Sequence, residues 1–496
     1  MTQPLQAIGL ASIAALTVGG SASGQIDLAP RVDYSVTATP HQTSVADFDG
    51  DGDLDLAITA DAPDRVKFLL NDGTGGFALG TDVDLPSSSS PKGIACADLD
   101  GDLDLDLVVA LYGLDQLQVL LNQGSGAYAL GASYPVSHGG TYVIVGQFDS
   151  DEQPDLAASC RDSGSIDVLL NLGAGLFGPA TAYAAGVDTR ALCSADLDGD
   201  GDQDLAAAAH DSEAIVMLMN DGNGLFTGAA SLAMAPLKPE GVIAFDLDGD
   251  GDQDLASAGS DSGQNLMTIF EQTAPGSFAG GVDYPTNGTD PSALIAGDFD
   301  LDYDMDVAVV NENSSDLTAF ANDGSGAFGL ATLFATGTDP GHLAAGDVDG
   351  NGALDLVTTN EFGNSVSILT NLTDSAFTDL GFALAGTNGL PTLVGIGTLE
   401  PLSTTTGVIG NGLPNASAFL ILGVTRIDVP FAGGTFVPAL NAILPCTLDG
   451  NGEFTFQDTW PSDATAGDAF YFQAWILDPA GVKNFSASNA LEAIAP

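Results

Sequence analysis

An acidic string of ten residues recurs along this chain at intervals close to fifty. It reads DFDGDGDLDL from Asp47. Its relatives start at Asp98, Gln147, Asp196, Asp246, Asp298 and Asp347, in steps of 51, 49, 49, 50, 52 and 49 residues. A second motif keeps phase with the first. It runs as NDGTGGF from Asn71 and returns at Asn122, Asn171, Asn220, Asn322 and Asn371, each 24 residues after its acidic start. The fifth copy slips by two residues, at EQTAPGSF ending on Phe278. Self-similarity at this period marks a repeat architecture, in which a unit buries its apolar faces only against its neighbours.

Each unit reads as β throughout. Thr43-Ser44-Val45-Ala46 precedes the first acidic loop and Leu56-Ala57-Ile58-Thr59 follows it. Arg65 to Leu70 alternates and ends at an Asn-Asp-Gly hairpin signal, and a fourth strand is expected near Phe77 to Leu85. No helical 3.6-residue period appears. Four short strands repeated seven times predict an all-β fold, a seven-bladed β-propeller of four-stranded blades, with a β-solenoid as the alternative. The segment RVDYSVTA, Arg31 to Ala38, resembles the fourth strand of a unit, yet no complete unit precedes it. The last unit supplies only three strands. Arg31 to Ala38 is therefore expected to complete the seventh blade, with Phe377 to Leu384 competing for that slot. Closing the ring also removes exposed strand edges.

The acidic loops have the oxygen pattern of a hard-cation site. In the first, Asp47, Asp49, Asp51 and Asp55 stand at positions one, three, five and nine. Gly52 at six permits a sharp turn, and residue 53 offers a carbonyl at seven. Like charges about 4 Å apart repel by about 1 kcal/mol even at the dielectric of water, so four converging carboxylates call for a cation. Asp oxygens without His or Cys favour Ca²⁺ over zinc or copper, and magnesium wants a more rigid octahedron. The corresponding ligands are Asp98, Asp100, Asp102 and Asp106 in the second loop, and Asp149, Asp151 and Asp155 in the third. They are Asp196, Asp198, Asp200 and Asp204 in the fourth, and Asp246, Asp248, Asp250 and Asp254 in the fifth. The sixth loop offers Asp298, Asp300, Asp302 and Asp306, and the seventh Asp347, Asp349, Asn351 and Asp355. An EF-hand is excluded, because its twelfth position needs a bidentate Glu and here holds Ile58.

With these residues the chain resembles the FG-GAP/VCBS repeat family, the propeller repeats also found in integrin α subunits, over about residues 31 to 378. The family's loop, D-x-[DN]-x-D-G-x-x-D, is matched at 47, 196 and 246, and at 347 with Asn351 in position five. Leu103 and Tyr303 replace its Gly in the second and sixth loops, where binding is expected with strain. The third loop departs most, with Gln147 first and Glu152 at the Gly position, and weak or no metal is expected there. The resemblance implies six or seven structural Ca²⁺ and a binding or adhesion role toward an extracellular protein or polysaccharide. A secreted lyase or hydrolase acting on carbohydrate is the alternative.

Composition fits this picture. The formal net charge is −58, and nine Glu among 67 acidic residues leave 58 Asp, a turn and cap former rather than a helix former. The seven nine-residue loops hold 32 of the 67. Such a charge repels phosphate backbones, which argues against nucleic acid. With 45% hydrophobic residues a core can form, which argues against disorder. Residues 7 to 20 are apolar and small, and Ala22-Ser23-Gly24 suits a cleavage site. Residues 1–24 are therefore expected to be an export signal, although MTQPLQ lacks Lys or Arg, and the mature chain to be secreted or at the cell surface, without a membrane span and monomeric. Cys96, Cys160, Cys193 and Cys446 lack metal or redox spacing; buried thiols are expected, with Cys160 and Cys193 the one pair worth testing as a disulfide.

No nucleophile, zinc or P-loop motif is present among four His and the scattered Ser. The face opposite the acidic loops nevertheless gathers scarce positive charge. His41, Lys92, Arg161, Arg190, His210 and His342 are candidate ligand residues there. Closure would bring His41 near His342, and Arg161, Arg190 and His210 would cluster at blades three and four; an acidic glycan is the ligand this suggests. The expected domains are a propeller over 25–379, a linker over 380–390 around GTNGLP, and a small β-sandwich over 391–496. Apolar runs at Ala418 to Val424 and Phe470 to Leu477 read as its strands, and LDGNGEF from Leu448 as a hairpin turn rather than a calcium site.

Overall fold

This computed structural model describes residues 26–373 apart from 152 and 303, together with 377–379, 392–396, 404–410, 416–423, 426–431, 434–438, 442–448, 454–459, 469–482 and 485–494. They form two compact units, one ending at Thr373 and one containing the strands from Phe377 onward. Helix among the described residues is limited to two short 3-10 turns, Tyr112–Leu114 and His210–Ser212.

The first unit is a seven-bladed β-propeller. Blade one shows the scheme. Thr39–Ala46 pairs with Asp55–Asp61, which pairs with Arg65–Asn71, which pairs with Phe77–Leu79 and Val83–Asp84, all antiparallel. Blades two to six start at Pro91–Ala97, Gly140–Gly146, Thr189–Ala195, Lys238–Phe245 and Pro291–Gly297, and blade seven at Pro340–Gly346. These seven first strands touch one another in sequence, and the seventh touches the first, so they ring the axis. Backbones crowd in this ring: a Cβ on Gly93 would lie 2.9 Å from Thr141 O, and one on Gly241 2.6 Å from Ser292 O.

Closure occurs as the sequence suggests. Val32–Ser35 pairs with Ser365–Leu369, in the register Val32↔Ile368 to Ser35↔Ser365, and completes the seventh blade. The competitor goes elsewhere: Phe377–Asp379 pairs with Phe485–Ile494 in the second unit, and residues 380–384 lie outside the described residues. In the slipped fifth repeat, Gln272–Ala274 and Ser277–Phe278 form a small extra hairpin.

Seven apolar clusters fill the seven seams between blades. At the first seam, Phe48, Val66 and Phe68 meet Ile94, Leu107 and Val109; at the closing seam, Leu56 and Ile58 meet Val357 and Ile368. Each second strand is covered on both faces, which explains runs such as Leu56-Ala57-Ile58 where alternation would mark one open face. Polar ties cross the same seams. Tyr34, Tyr134 and Tyr183 on outermost strands each donate a phenol hydrogen to Gly75, Gly175 and Gly224 of the next blade. Their rings stand edge-on to Phe77, Phe177 and Phe226.

The second unit is also β. One sheet runs in the order Phe377–Asp379, Phe485–Ile494, Ala469–Val482, Ser417–Gly423 and Ala442–Thr447, and another joins Thr392–Ile396, Thr404–Gly410 and Phe454–Thr459. Trp475 is buried, its Nε1–H donating to Gln473. Residues 386–391, 449–453 and Trp460, and residues 1–25, which include the export signal expected over 1–24, lie outside the described residues. Cys96, Cys160 and Cys193 are free thiols, so the Cys160–Cys193 disulfide does not form.

Removing residues 26–38 should strip the outer strand from blade seven and bare the edge of Ser365–Leu369. The expected result is a lower melting temperature and aggregation in light scattering, whereas an unchanged melt would show that the N-terminal strand does not close the ring.

Candidate metal centres and the opposite axial cup

Each acidic loop joins a first strand to a second, and one carboxylate organises it. Asp55, fully buried at position nine, accepts Phe48 N–H on Oδ2 at 3.2 Å and Asn71 N–H on Oδ1 at 2.8 Å. The pair of bonds recurs at Asp106, Asp155, Asp204, Asp254, Asp306 and Asp355. The donor on the Oδ1 side is always the first residue of the second motif, with Gln272 standing in for Asn in the slipped repeat.

That Asn is more than a turn residue. Asn71 Nδ2 donates to Leu54 O in its own loop and to Val348 O in the loop of the neighbouring blade, at 3.0 and 2.7 Å. The bridge recurs from Asn122 to Phe48, Asn171 to Leu99, Asn220 to Phe148, Asn322 to Leu247 and Asn371 to Phe299. In blade five, where Gln272 replaces Asn, Gly276 N–H reaches Leu197 O instead. The sequence reading missed this role; its signal was that Asn persists while the next residue varies among Asp, Gln and Leu.

The remaining carboxylates of the first loop converge, and among the described residues no Lys, Arg or His pairs with them. Asp47 accepts Gly50 and Gly52 N–H, and Asp49 accepts Asp51 N–H. One oxygen from each of Asp47, Asp49 and Asp55 lies within 4.8 Å of the others, as do those of Asp98, Asp100 and Asp106, of Asp196, Asp198 and Asp204, and of Asp246, Asp248 and Asp250. Burial, only partly offset by the two backbone bonds, pushes the position-nine carboxyls of Asp55, Asp106, Asp204, Asp254 and Asp355 up to about 6. In the sixth loop Asp300 is 7% exposed, and among the described residues neither carboxylate oxygen has a hydrogen-bond partner. Burial, then the charges of Asp306 and Asp302, push it up to about 8. A buried carboxylate without a partner, among others, is a donor set that fits a hard cation. A carboxylate has about four lone-pair sites, so position nine can keep both backbone bonds and still ligate.

The loops differ in strain. Leu103 holds φ +76°, where Gly52 has +100°. Leu301 holds φ +61° at position four, where Gly50 has +81°, a substitution the sequence reading passed over. Left-handed backbone at a non-glycine costs about 1–2 kcal/mol. In the third loop Asp149 and Asp155 keep their backbone bonds, and Gln147 N–H reaches the Gln203 side chain of the next loop.

On the opposite face the six candidate ligand residues come together around the axis. Two repeat positions build a cup there. Six residues before each acidic start stand His41, Lys92, Thr141, Arg190, Glu240, Ser292 and Gly341. Fourteen after it stand Asp61, Tyr112, Arg161, His210, Ser260, Glu312 and Glu361. Buried hydroxyls fix the first set: Thr59, Ser159 and Thr359 donate to the carbonyls of Lys92, Arg190 and His41 in the next blade. Tyr142 and His342, from blades three and seven, approach to 6.4 Å between ring centroids, and Gln42 Nε2 lies 2.9 Å from His342 Nε2. They divide the cup into cavities of about 280 and 490 Å³, which share Thr141, Tyr142, Arg161, Gly341 and His342.

Most charges in the cup are paired, Glu312 being the exception among the described residues. Asp188 holds Arg161, Arg190 and His210, and Arg190 and His210 also meet Glu240. Burial opposes ionisation of Asp188, but the two guanidinium groups outweigh it and hold its carboxyl below the usual range. The Asp188, His210 and Asp211 group is thus an ion-pair hub, with Lys238 on Asp211, rather than a cation site. His41 lies 2.7 Å from Glu361 and 2.9 Å from Asp61, with Lys92 Nζ 2.8 Å from its Nε2. Burial lowers its pKa, but the two carboxylates prevail and raise it above the ordinary value.

Two outcomes test the loops. A carboxyl raised from 3.8 to about 6 on folding keeps its proton where the unfolded chain has lost it, so stability falls as pH rises from about 4 to about 6. In chelator, the melting temperature should therefore fall over that window, and excess calcium should remove the fall; a fall equal in both buffers contradicts cation binding. Asp155→Asn in the third loop places an amide against a backbone N–H and should cost about 1–3 kcal/mol in urea unfolding whether or not calcium is present. No loss of stability would contradict the clamp.

Six segments match the family model of the FG-GAP-like repeat: 47–109, 98–158, 147–207, 196–257, 246–309 and 298–358. No curated protein matches the chain. Among solved structures, BBS1N in complex with ARL6DN is 13% identical, with 70% of this chain and 97% of that chain covered at a TM-score of 0.50, a likeness of fold alone. A protein from Lactobacillus plantarum is 20% identical over 61% of this chain and 86% of its own, with a TM-score of 0.48. The periplasmic gluconolactonase PpgL of Pseudomonas aeruginosa is 19% identical over 63% and 87%, with a TM-score of 0.45. The repeat matches span well over half of the chain and coincide with its blades, and the protein belongs to the FG-GAP repeat family.

Proposed function

We propose that this is a secreted, calcium-stabilised propeller that binds an extracellular protein or glycan in the axial cup opposite its acidic loops. One observation carries the reading. The repeats hold Asp at positions three and nine of all seven loops, yet diverge to His, Lys, Thr, Arg, Glu, Ser and Gly six residues upstream, where the side chains line the cup. A position freed from the repeat, on a rigid ring, suits ligand recognition. Calcium in the loops is supported by the crowded carboxylates and by Asp300. Extracellular modules bind calcium with Kd of roughly 10⁻⁴–10⁻³ M, and a 100-fold excess over Kd adds about 2.7 kcal/mol per site to the folded state. The apolar N-terminal segment supports export, and among the described residues no helix is long and apolar enough to cross a membrane.

A second reading, a carbohydrate-cleaving enzyme, has one observation in its favour. Burial and the charge of Glu240 push the Glu312 carboxyl up to about 8, while Glu240 itself is ion-paired, so one acid and one base share a cavity. Reducing-end and unsaturated-product assays on polysaccharides distinguish the readings: turnover abolished by Glu312→Gln would favour the enzyme.

Thr141→Trp fills the zone shared by both cavities. It should cut binding to cell surfaces or glycan arrays at least tenfold at an unchanged melting temperature. Full retention of binding would place the ligand outside the cup.

A further inference from the structure

The smaller cavity, about 280 Å³, has a polar wall that the protein leaves incomplete. Ser292 is 8% exposed, lines the cavity, and among the described residues its Oγ has no hydrogen-bond partner. Glu312 lines the same wall. Among the described residues no Lys, Arg or His pairs with it, whereas Glu240 is taken up by Arg190 and His210. The Ser292 hydroxyl lies near enough to favour the charged form of Glu312 but completes no hydrogen bond, and Asp290 and Asp339 add to the negative potential. A carboxyl that burial and like charge hold protonated at neutral pH lacks a cation. A primary ammonium would meet both groups: its charge would favour the ionised form of Glu312, and its N–H groups would donate to Glu312 and to Ser292 Oγ.

The rest of the cup favours a sugar as its carrier. The volume lies just below the roughly 300–1,000 Å³ typical of small-ligand pockets, which suits a small ligand. Thr141 and Arg161 supply further polar groups at the boundary with the larger cavity. We propose that the smaller cavity takes the free ammonium of a hexosamine, with Glu312 and Ser292 as its acceptors. This rests on the cup being the ligand site.

The test is calorimetric titration of the full chain, with calcium in excess, against D-glucosamine, D-glucose and N-acetyl-D-glucosamine. Glucosamine should bind saturably and about tenfold or more tighter than either neutral sugar, as loss of a charged hydrogen bond implies. Glu312→Gln and Ser292→Ala should each weaken it about tenfold without lowering the melting temperature. Equal affinity for glucosamine and glucose, no saturable glucosamine binding, or binding untouched by both substitutions overturns the proposal. Thr141→Trp separates the two failures. If it abolishes sugar binding that Glu312→Gln leaves intact, the cup stands and the ammonium assignment falls; if glucosamine still binds to Thr141→Trp, the cup itself is not the site.

Discussion

A single buried carboxylate per blade, accepting one backbone N–H on each oxygen, is the interaction on which the propeller depends. Asp55 and its six equivalents tie the start of the acidic loop to the end of the third strand. The Asn that donates to it then reaches into the neighbouring loop. Loop, hairpin and adjacent blade thus share one hydrogen-bonded knot, repeated around the ring. Burying an ionised group is costly unless it is bonded in this way. The carboxylate takes both donors from the backbone, so it keeps them in the third loop, where Gln147 replaces the first Asp and Asp155 still holds Phe148 and Asn171.

Much of this was legible in the sequence because the repeat writes the same instruction seven times. Blade number, strand order and the closing role of Arg31 to Ala38 all follow from phase, and the structure has them. The Asn bridge was not legible as such. Asn followed by Asp-Gly is a strong local turn signal, and nothing in a linear string says that its amide spans a seam to Val348. Leu301 was overlooked for a related reason: only the backbone shows that position four needs positive φ. The cup was legible as a face but not as a pair of cavities. Its division comes from Tyr142 and His342 meeting across the axis, two residues 200 positions apart with no sequence link.

The two faces divide the work. One spends acidic residues uniformly, at positions dictated by the loop. The other draws on residues the chain otherwise uses sparingly: three of its nine Glu, and Lys92, Arg161 and Arg190 of its nine Lys and Arg. Those charges neutralise one another through Asp188, Asp61 and Glu240, which leaves a cup that is polar and ordered rather than strongly positive. An acidic glycan, suggested by the sequence, has few unpaired cations to meet there. The exception to the pairing is the wall of Glu312 and Ser292, where the protein has acceptors to spare.

We propose that the acidic loops are cation sites built on this hydrogen-bonded frame. Equilibrium dialysis against calcium, with the metal counted per chain, tests it most directly. Six or seven Ca²⁺ per molecule are expected, in line with the seven loops, with the third site weakest or absent. A chain that retains none or one at millimolar calcium would contradict it.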